Sequence, residues 1–376
     1  MKQNIKYKIA IVANTTWNIY NFRMNILNIL TKNNFDIYVI APVDEYISYK
    51  ENYPEITHIP LKQLGRDSTN PVKDIRLFFE LKNIYKNLRP DIILHYTVKP
   101  NIYGGFAAGY LKIPSIAVVT GLGYAFIHNG IIKKITKILY RLSNRFHNKI
   151  IFENLDDKNL FIEKKLLSQN KGISVKGCGV NTQFYVAQKK LPDNKLIFTF
   201  IGRLLYDKGV VEFVESAKIV KDKYPETEFW LIGEIDHSNP AMVKEEDLLK
   251  WVKNKTVIYH GFKDDIRQFI SKSDCIVLPS YREGMSRSVT EGMSMGKPII
   301  TTDTAGCREA IEDKLHGFLV PVKDISGLAQ AMENIINLNS QQRMEMGKEG
   351  RKRVIEEFDD NIIADQVLAI INDVLK

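Results

Sequence analysis

Short runs of continuously apolar, β-branched residues recur along this chain, each followed by a longer stretch whose apolar residues fall at helical spacing. In the first half the runs are 7–13, 35–41, 92–95, 115–119 and 149–153. A strand that is apolar on both faces must be covered on both, and alternation with helices makes its neighbours parallel, so this half reads as an open α/β sheet. The pattern restarts with runs at 197–201, 228–232, 257–260, 275–278, 298–302 and 317–320. Between the halves, 181–195 is polar, carries Pro192 and shows neither period, as expected of a linker. The expected organisation is a Rossmann-like domain over 1–182, a linker over 183–194 and a second Rossmann-like domain over 195–376. The last helix either stays with the second domain or returns to the first.

Size agrees with this division. A chain of 376 residues exceeds what one hydrophobic core ordinarily fills, and 44% apolar with 26% charged residues supplies two cores under a polar surface. No apolar run reaches the ~18 to 20 residues of a spanning helix, and the N-terminus enters a strand pattern without a signal-like core. A cytoplasmic location is therefore expected. Cys178, Cys275 and Cys307 are widely separated, which suits ordinary buried thiols in a reducing compartment. The 53 basic and 44 acidic residues leave +9, favouring a nucleotide diphosphate, an anionic membrane or nucleic acid as partner.

In an open parallel sheet the ligand sits beyond the carboxyl ends of the strands, so the loops there carry the functional signal. After the run ending at Ile201 comes Gly202-Arg203-Leu204-Leu205-Tyr206-Asp207-Lys208-Gly209, at a helix entrance. Arg203 offers a planar fork to phosphate oxygens, Lys208 a point charge, and the helix N-terminus its amides. A turn with two solvated cations is the plain alternative. After Leu278 comes a segment carrying Glu283 in a loop and, eight residues on, Glu291, about two turns into a helix beginning near Ser286. Ionised carboxylates only accept hydrogen bonds, so the two suit hydroxyl-rich groups at different depths. The amides of Gly284, Met285, Ser286, Ser288 and Val289 would form the helix entrance between them. A capped helix with exposed glutamates is the alternative for this pair alone.

The order of these parts, followed by Gly296-Lys297-Pro298 and Gly306-Cys307-Arg308-Glu309, resembles the donor domain of the retaining family 4 of GT-B glycosyltransferases over the whole second half. That resemblance implies two Rossmann-like domains facing each other across a cleft. It implies that Gly202, Arg203 and Lys208 hold the donor diphosphate, Glu283 the transferred sugar and Glu291 the ribose, with Glu283, Arg203 and Lys208 as the catalytic groups. His260 to Lys263, with Phe262, match the segment facing uracil. Glycines elsewhere, Gly306 among them, read as turns or helix caps.

In the first half, Asn14-Thr15-Thr16-Trp17-Asn18 follows the first run and leads to Arg23. Many family members have glycines here; Asn14, Thr15 and Thr16 would approach the transferred group by hydroxyls and amides instead. Asn18 and Arg23 are acceptor candidates, with packing of Trp17 and Phe22 and solvation of Arg23 as the alternatives. Lys99, after the run ending at His95, suits an anionic acceptor or donor phosphate. Gly104-Gly105-Phe106-Ala107-Ala108-Gly109 is not a Gly-x-Gly-x-x-Gly fingerprint and marks close helix packing. Where many family 4 members have a histidine, this chain has Thr120-Gly121-Leu122-Gly123-Tyr124, so Gly121 is the remaining acceptor candidate there. Asn21-Phe22-Arg23, Gly121-Leu122-Gly123 and Glu153-Asn154 resemble a subgroup that builds bacterial surface glycans on polyprenyl diphosphate. This implies a UDP-sugar donor, a hexose or N-acetylhexosamine with GalNAc foremost, and a lipid-linked saccharide acceptor at the inner membrane face.

Segment 131–146 places isoleucines at helical spacing with Lys133, Lys134, Lys137, Arg141 and Arg145 between them, which fits either a helix lying in a membrane interface or one packed on the sheet with a charged outer face. No Asp-x-Asp and no paired histidines occur, so the expectation is a reaction without metal or cofactor, and the partners the resemblance implies do not include nucleic acid. An epimerase or phosphorylase on the same architecture, or a non-catalytic binding protein, are the competing readings.

Overall fold

The computed structural model describes residues 6–64, 70–122, 130–188, 195–237 and 239–376. The chain forms two compact units, Met1–Cys178 with Asp360–Lys376, and Gly179–Asp359. The boundary thus falls ahead of residue 182, and 179–188 belong to the second unit; the remaining linker positions, 189–194, lie outside the described residues.

In the first unit, β1 (Lys8–Val12), β2 (Asp36–Ala41), β3 (Thr57–Pro60), β4 (Ile92–Tyr96), β5 (Ser115–Val119), β6 (Lys149–Phe152) and β7 (Gly172–Ser174) pair in parallel, in the order β3-β2-β1-β4-β5-β6-β7. The order reverses between β1 and β4, which opens a crevice at their carboxyl ends. Alternate residues of β1 serve opposite layers. Ile9 and Ile11 pack in one cluster with Ile26, Leu27 and Leu30, whereas Ala10 and Val12 pack in another with Leu77, Leu81 and Tyr85. Edge strands β3 and β7 escaped the periodicity reading because they are short, only partly buried and carry Pro60 and Gly172.

The helices covering this sheet include α1 (Thr16–Phe22), α2 (Met24–Lys32), α3 (Pro71–Leu88), α4 (Gly105–Leu111) and α5 (Ile131–Ser143). Asn70 caps α3 by accepting from the Val72 amide at 2.9 Å, and Pro71 occupies a first-turn position where no donor is lost. The glycines around α4 allow close packing. A Cβ on Gly104 would lie 2.3 Å from His95 Cδ2, one on Gly105 2.5 Å from His147 Nε2, and one on Gly109 2.4 Å from Phe146 Cγ.

Helix α5 is turned against the usual pattern. It buries Thr136, Tyr140 and Ser143 and leaves Ile131, Ile132, Ile135, Ile138 and Leu142 exposed, Ile131 by 75%. A helix packed on the sheet by its isoleucines is therefore not what forms; the apolar row faces outward.

In the second unit, β8 (Ile197–Ile201), β9 (Glu228–Ile232), β10 (Ile258–Gly261), β11 (Cys275–Leu278), β12 (Ile299–Thr302) and β13 (Gly317–Val320) pair in parallel in the order β10-β9-β8-β11-β12-β13. The order reverses between β8 and β11. Its layers include α6 (Val210–Lys223), α7 (Arg287–Ser294) and α8 (Ile325–Asn337). Phe198 and Phe229 stack with centroids 5.4 Å apart and meet Phe213 of α6, each fully buried; such side chains contribute about 1.5 to 3 kcal/mol apiece. The last helix, α9 (Asp360–Leu375), returns to the first unit, where Ala364, Val367 and Ile371 join the core beside α2.

Candidate functional site

The loops after β8 and β11 flank the point where the second sheet reverses, and backbone contacts join them. The Tyr281 amide donates to the Asp207 carbonyl at 2.9 Å, and Ser280 Oγ donates to the same oxygen at 3.3 Å. Gly209 has φ +75°, and a Cβ there would stand 2.1 Å from the Pro279 carbonyl oxygen, so this junction requires glycine. Across it, Lys208 Nζ meets Glu283 Oε1 at 2.5 Å, with the carboxylate the more buried partner. The Glu283 loop is supported from behind. Its amide donates to the Ala305 carbonyl at 3.1 Å, and Gly306, at φ +74°, sits so close that a Cβ would lie 2.3 Å from the Gly284 carbonyl. Gly306, read from sequence as a turn or cap, thus shapes the site.

Ser286 caps α7, its Oγ accepting from the Val289 amide at 3.4 Å, so that amide is used within the helix and the Val289 side chain lies in the core. Ser288 lies beside the cap, its Oγ 3.3 Å from that of Ser286. Glu291 stands about one and a half turns beyond the Ser286 cap rather than two, at 3.6 residues per turn. It is buried and pairs with Arg287 at 2.6 Å, the i,i+4 spacing that puts both on one face. Tyr185 lies against it. Burial foremost, then the Glu291 charge, raise the Tyr185 hydroxyl above its ordinary range. Nothing in the sequence signals Tyr185, which lies in the stretch read as linker.

Gly202 follows β8, and its amide donates to the Ile232 carbonyl at 3.0 Å. Arg203 does not join the Lys208–Glu283 pair; it reaches Asp236, after β9, at 2.6 Å and is half exposed. Just beyond β10, Phe262 is exposed, and within the strand His260 rests on Trp230 and Phe269 with centroids 4.7 and 5.0 Å away. His260 Nε2 is buried without a hydrogen-bond partner, and burial foremost lowers the imidazole's pKa.

The first unit treats its candidates differently. Thr15 caps α1 by accepting from the Asn18 amide at 3.0 Å. Thr16 is fully buried and bonds to Asp44, which also accepts from the Trp17 amide at 3.1 Å. Both threonines are therefore engaged in holding the helix start. Asn14 Oδ1, at the end of β1, is buried without a partner. Arg23 is not solvated. It is 4% exposed, approaches Asn18 Oδ1 at 3.4 Å and Glu153 Oε1 at 3.5 Å, and lies 4.2 Å from the Tyr96 ring centroid. Asn18, Arg23 and Glu153 thus form one buried polar cluster from two separate motifs. Burial foremost pushes the Glu153 carboxyl up, and Arg23 opposes it.

Lys99 pairs with Asp74 of α3 at 2.8 Å, and Tyr103 donates to the other Asp74 oxygen at 2.9 Å. His95 is buried against the Tyr85 hydroxyl at 2.9 Å. Gly121 takes φ +110° after β5; Gly123 and Tyr124 lie outside the described residues. Among the described residues no group of three or more histidine, cysteine or acidic side chains is gathered as a metal set, and no helix is long and apolar enough to cross a membrane.

Two doubly wound parallel sheets, one of which gathers a cation, two carboxylates and a capped helix entrance at its reversal point, define a Rossmann-like nucleotide-binding class. Residues 181–353 match the family described as Glycosyl transferases group 1, and residues 8–154 match Glycosyl transferase 4-like. The chain is 32% identical to the N,N'-diacetylbacillosaminyl-diphospho-undecaprenol alpha-1,3-N-acetylgalactosaminyltransferase of Campylobacter jejuni, over 98% of this chain and 99% of the relative. It is 26% identical to the UDP-Gal:alpha-D-GlcNAc-diphosphoundecaprenol alpha-1,3-galactosyltransferase of Escherichia coli, over 76% of each. Among solved structures, HepE of Anabaena in complex with UDP and glucose superposes with a TM-score of 0.79 at 17% identity, covering 97% of this chain and 99% of that one. Sucrose-phosphate synthase of Thermosynechococcus elongatus gives 0.81 at 17% identity, covering 98% and 99%. The chain belongs to the group 1, family 4-like glycosyltransferases of the GT-B fold. It is a transferase, and the epimerase, phosphorylase and non-catalytic readings are not favoured.

Proposed function

We propose that this glycosyltransferase moves an N-acetylhexosamine, GalNAc foremost, from a UDP-sugar to a saccharide carried on polyprenyl diphosphate, with retention of configuration. The observation that carries the donor half is the Lys208–Glu283 contact at the reversal point of the second sheet. In this reading Lys208 and the entrance of α7, lined by Gly284, Met285, Ser286 and Ser288, neutralise charge developing on the departing diphosphate. Arg203 turns from Asp236 to the same diphosphate on binding. Glu283 accepts hydrogen bonds from hydroxyls of the transferred sugar, and Glu291 accepts from the ribose, displacing its present partner Arg287. Phe262 borders the base. These groups supply the neutralisation without a metal ion.

The acceptor reading is supported by the diphospho-undecaprenol substrates named for the two relatives. Asn14, Lys99 and Gly121, at the carboxyl ends of β1, β4 and β5, are the groups proposed to meet the acceptor. Asn18 and Arg23 act one layer behind, holding α1, and Thr15 and Thr16 fix its entrance. The outward isoleucine row of α5, interleaved with Lys133, Lys134 and Lys137, supports peripheral contact with the anionic inner face of the cytoplasmic membrane. A screen of UDP-sugars against polyprenyl-diphosphate-linked saccharides tests the function. Sugar transfer with UDP release is the expected result; no transfer from any UDP-sugar to any such acceptor overturns it.

A further inference from the structure

Helices α3 and α4 leave between them a groove of about 510 Å³, lined by Ile75, Phe78, Tyr103, Phe106, Tyr110 and Phe146. That lies within the roughly 300 to 1,000 Å³ of pockets that take a small ligand. Gly109 also lines it and lets Phe146 approach where a Cβ would collide. Ile75 and Tyr110 are more than half exposed, so the groove presents apolar wall to water. The groove has a polar end. Tyr103 lines it with its ring while its hydroxyl donates to Asp74, whose other oxygen holds Lys99 at the carboxyl end of β4. A cation borders it as well: Lys82 Nζ stands 3.9 Å over the Tyr110 ring. Phe146 closes the groove and continues the spacing of the exposed row on α5, so apolar surface runs from that row into the groove.

We infer that this groove takes the isoprenoid chain of a polyprenyl diphosphate, the chain lying along the aromatic wall and the anionic head directed to the Tyr103–Asp74–Lys99 end. The inference rests on the acceptor class proposed above. Shape favours a single chain, because a bilayer surface would meet the convex row of α5 and leave a concave slot unfilled.

Calorimetric titration of the purified protein, with its donor site saturated by UDP, compares farnesyl diphosphate with inorganic diphosphate. The expected result is that farnesyl diphosphate binds at least about tenfold more tightly, and geranylgeranyl diphosphate more tightly again. Ile75→Ser and Tyr110→Ser, both at exposed positions that tolerate substitution, should each erase most of that preference while UDP binding is kept. Equal binding of the chain-bearing and inorganic diphosphates overturns the inference, as does a preference that survives both substitutions. If the substitutions instead lower sedimentation with anionic vesicles, or shift the oligomeric state, with the preference intact, the groove serves a bilayer or a second copy and the inference fails. Absence of sugar transfer alongside a chain preference would sink the acceptor reading alone.

Discussion

Lys208 and Glu283 neutralise each other before substrate arrives, so each removal leaves a different residue behind. Lys208→Ala takes away positive charge where the diphosphate is proposed to sit, and should both raise KM for the UDP-sugar and lower kcat, by about a hundredfold in kcat/KM. Glu283→Ala should lower kcat by a similar factor while UDP affinity, measured by calorimetry, changes only a few-fold; an equal loss of UDP affinity would move Glu283 from sugar to nucleotide. Gly209→Ala forces a side chain into a positive φ and against the Pro279 carbonyl, and should cost about 1 to 3 kcal/mol in urea unfolding of the second unit. An unaltered midpoint would mean that the two loops part freely. At this scale the sequence revealed the residues that carry unusual chemistry but not their partners. Lys208 and Glu283 lie in short motifs at predictable strand ends. Asp236, Asp44 and Tyr185 reach the candidate residues only through the fold, and no spacing along the chain announces them.

Among elements, strands buried on both faces were legible because apolar residues predominate in them without alternation, as in β4, β5, β8 and β11. Edge strands β3 and β7 lack that signature. Helix α5 shows the limit of periodicity: the sequence displays an apolar row and cannot say which way it faces, since Thr136, Tyr140 and Ser143 make an equally regular row. Outward isoleucines between lysines give a direct expectation. Charge reversal of Lys133, Lys134 and Lys137 should reduce co-sedimentation with anionic liposomes by about tenfold or more at moderate salt, each cation contributing about 1 kcal/mol near such a surface. Binding unchanged by the triple reversal would remove α5 from the membrane contact.

Across the molecule, acid sensitivity should concentrate in the first unit. His147 is buried between Ser115 Oγ and the Asn101 carbonyl, at 2.9 and 2.8 Å; the carbonyl only accepts, so Nε2 carries a proton, and burial disfavours a second one on Nδ1. Burial pushes its pKa down to about 4 from 6.5, and burial likewise holds His95 well below its ordinary value. A depressed pKa in the folded state means that the unfolded chain takes the proton first as pH falls. The stabilisation is therefore full above about 6.5 and is lost progressively toward about 4. At pH 5, His147 alone should remove about 2 kcal/mol. Urea unfolding at pH 7.5 and 5 should show a smaller pH-dependent loss for His147→Gln than for the native chain, and equal losses would exclude His147 as the source.

The return of α9 has a consequence for biosynthesis. The second unit is one continuous stretch, whereas the first receives Ala364, Val367 and Ile371 only after that stretch has been made. A nascent chain can thus finish its later domain while its earlier one still exposes the apolar face beside α2. The amino-terminal domain is the last to close, against the usual order of vectorial folding, and until then it is the part of the chain that most needs shielding from aggregation.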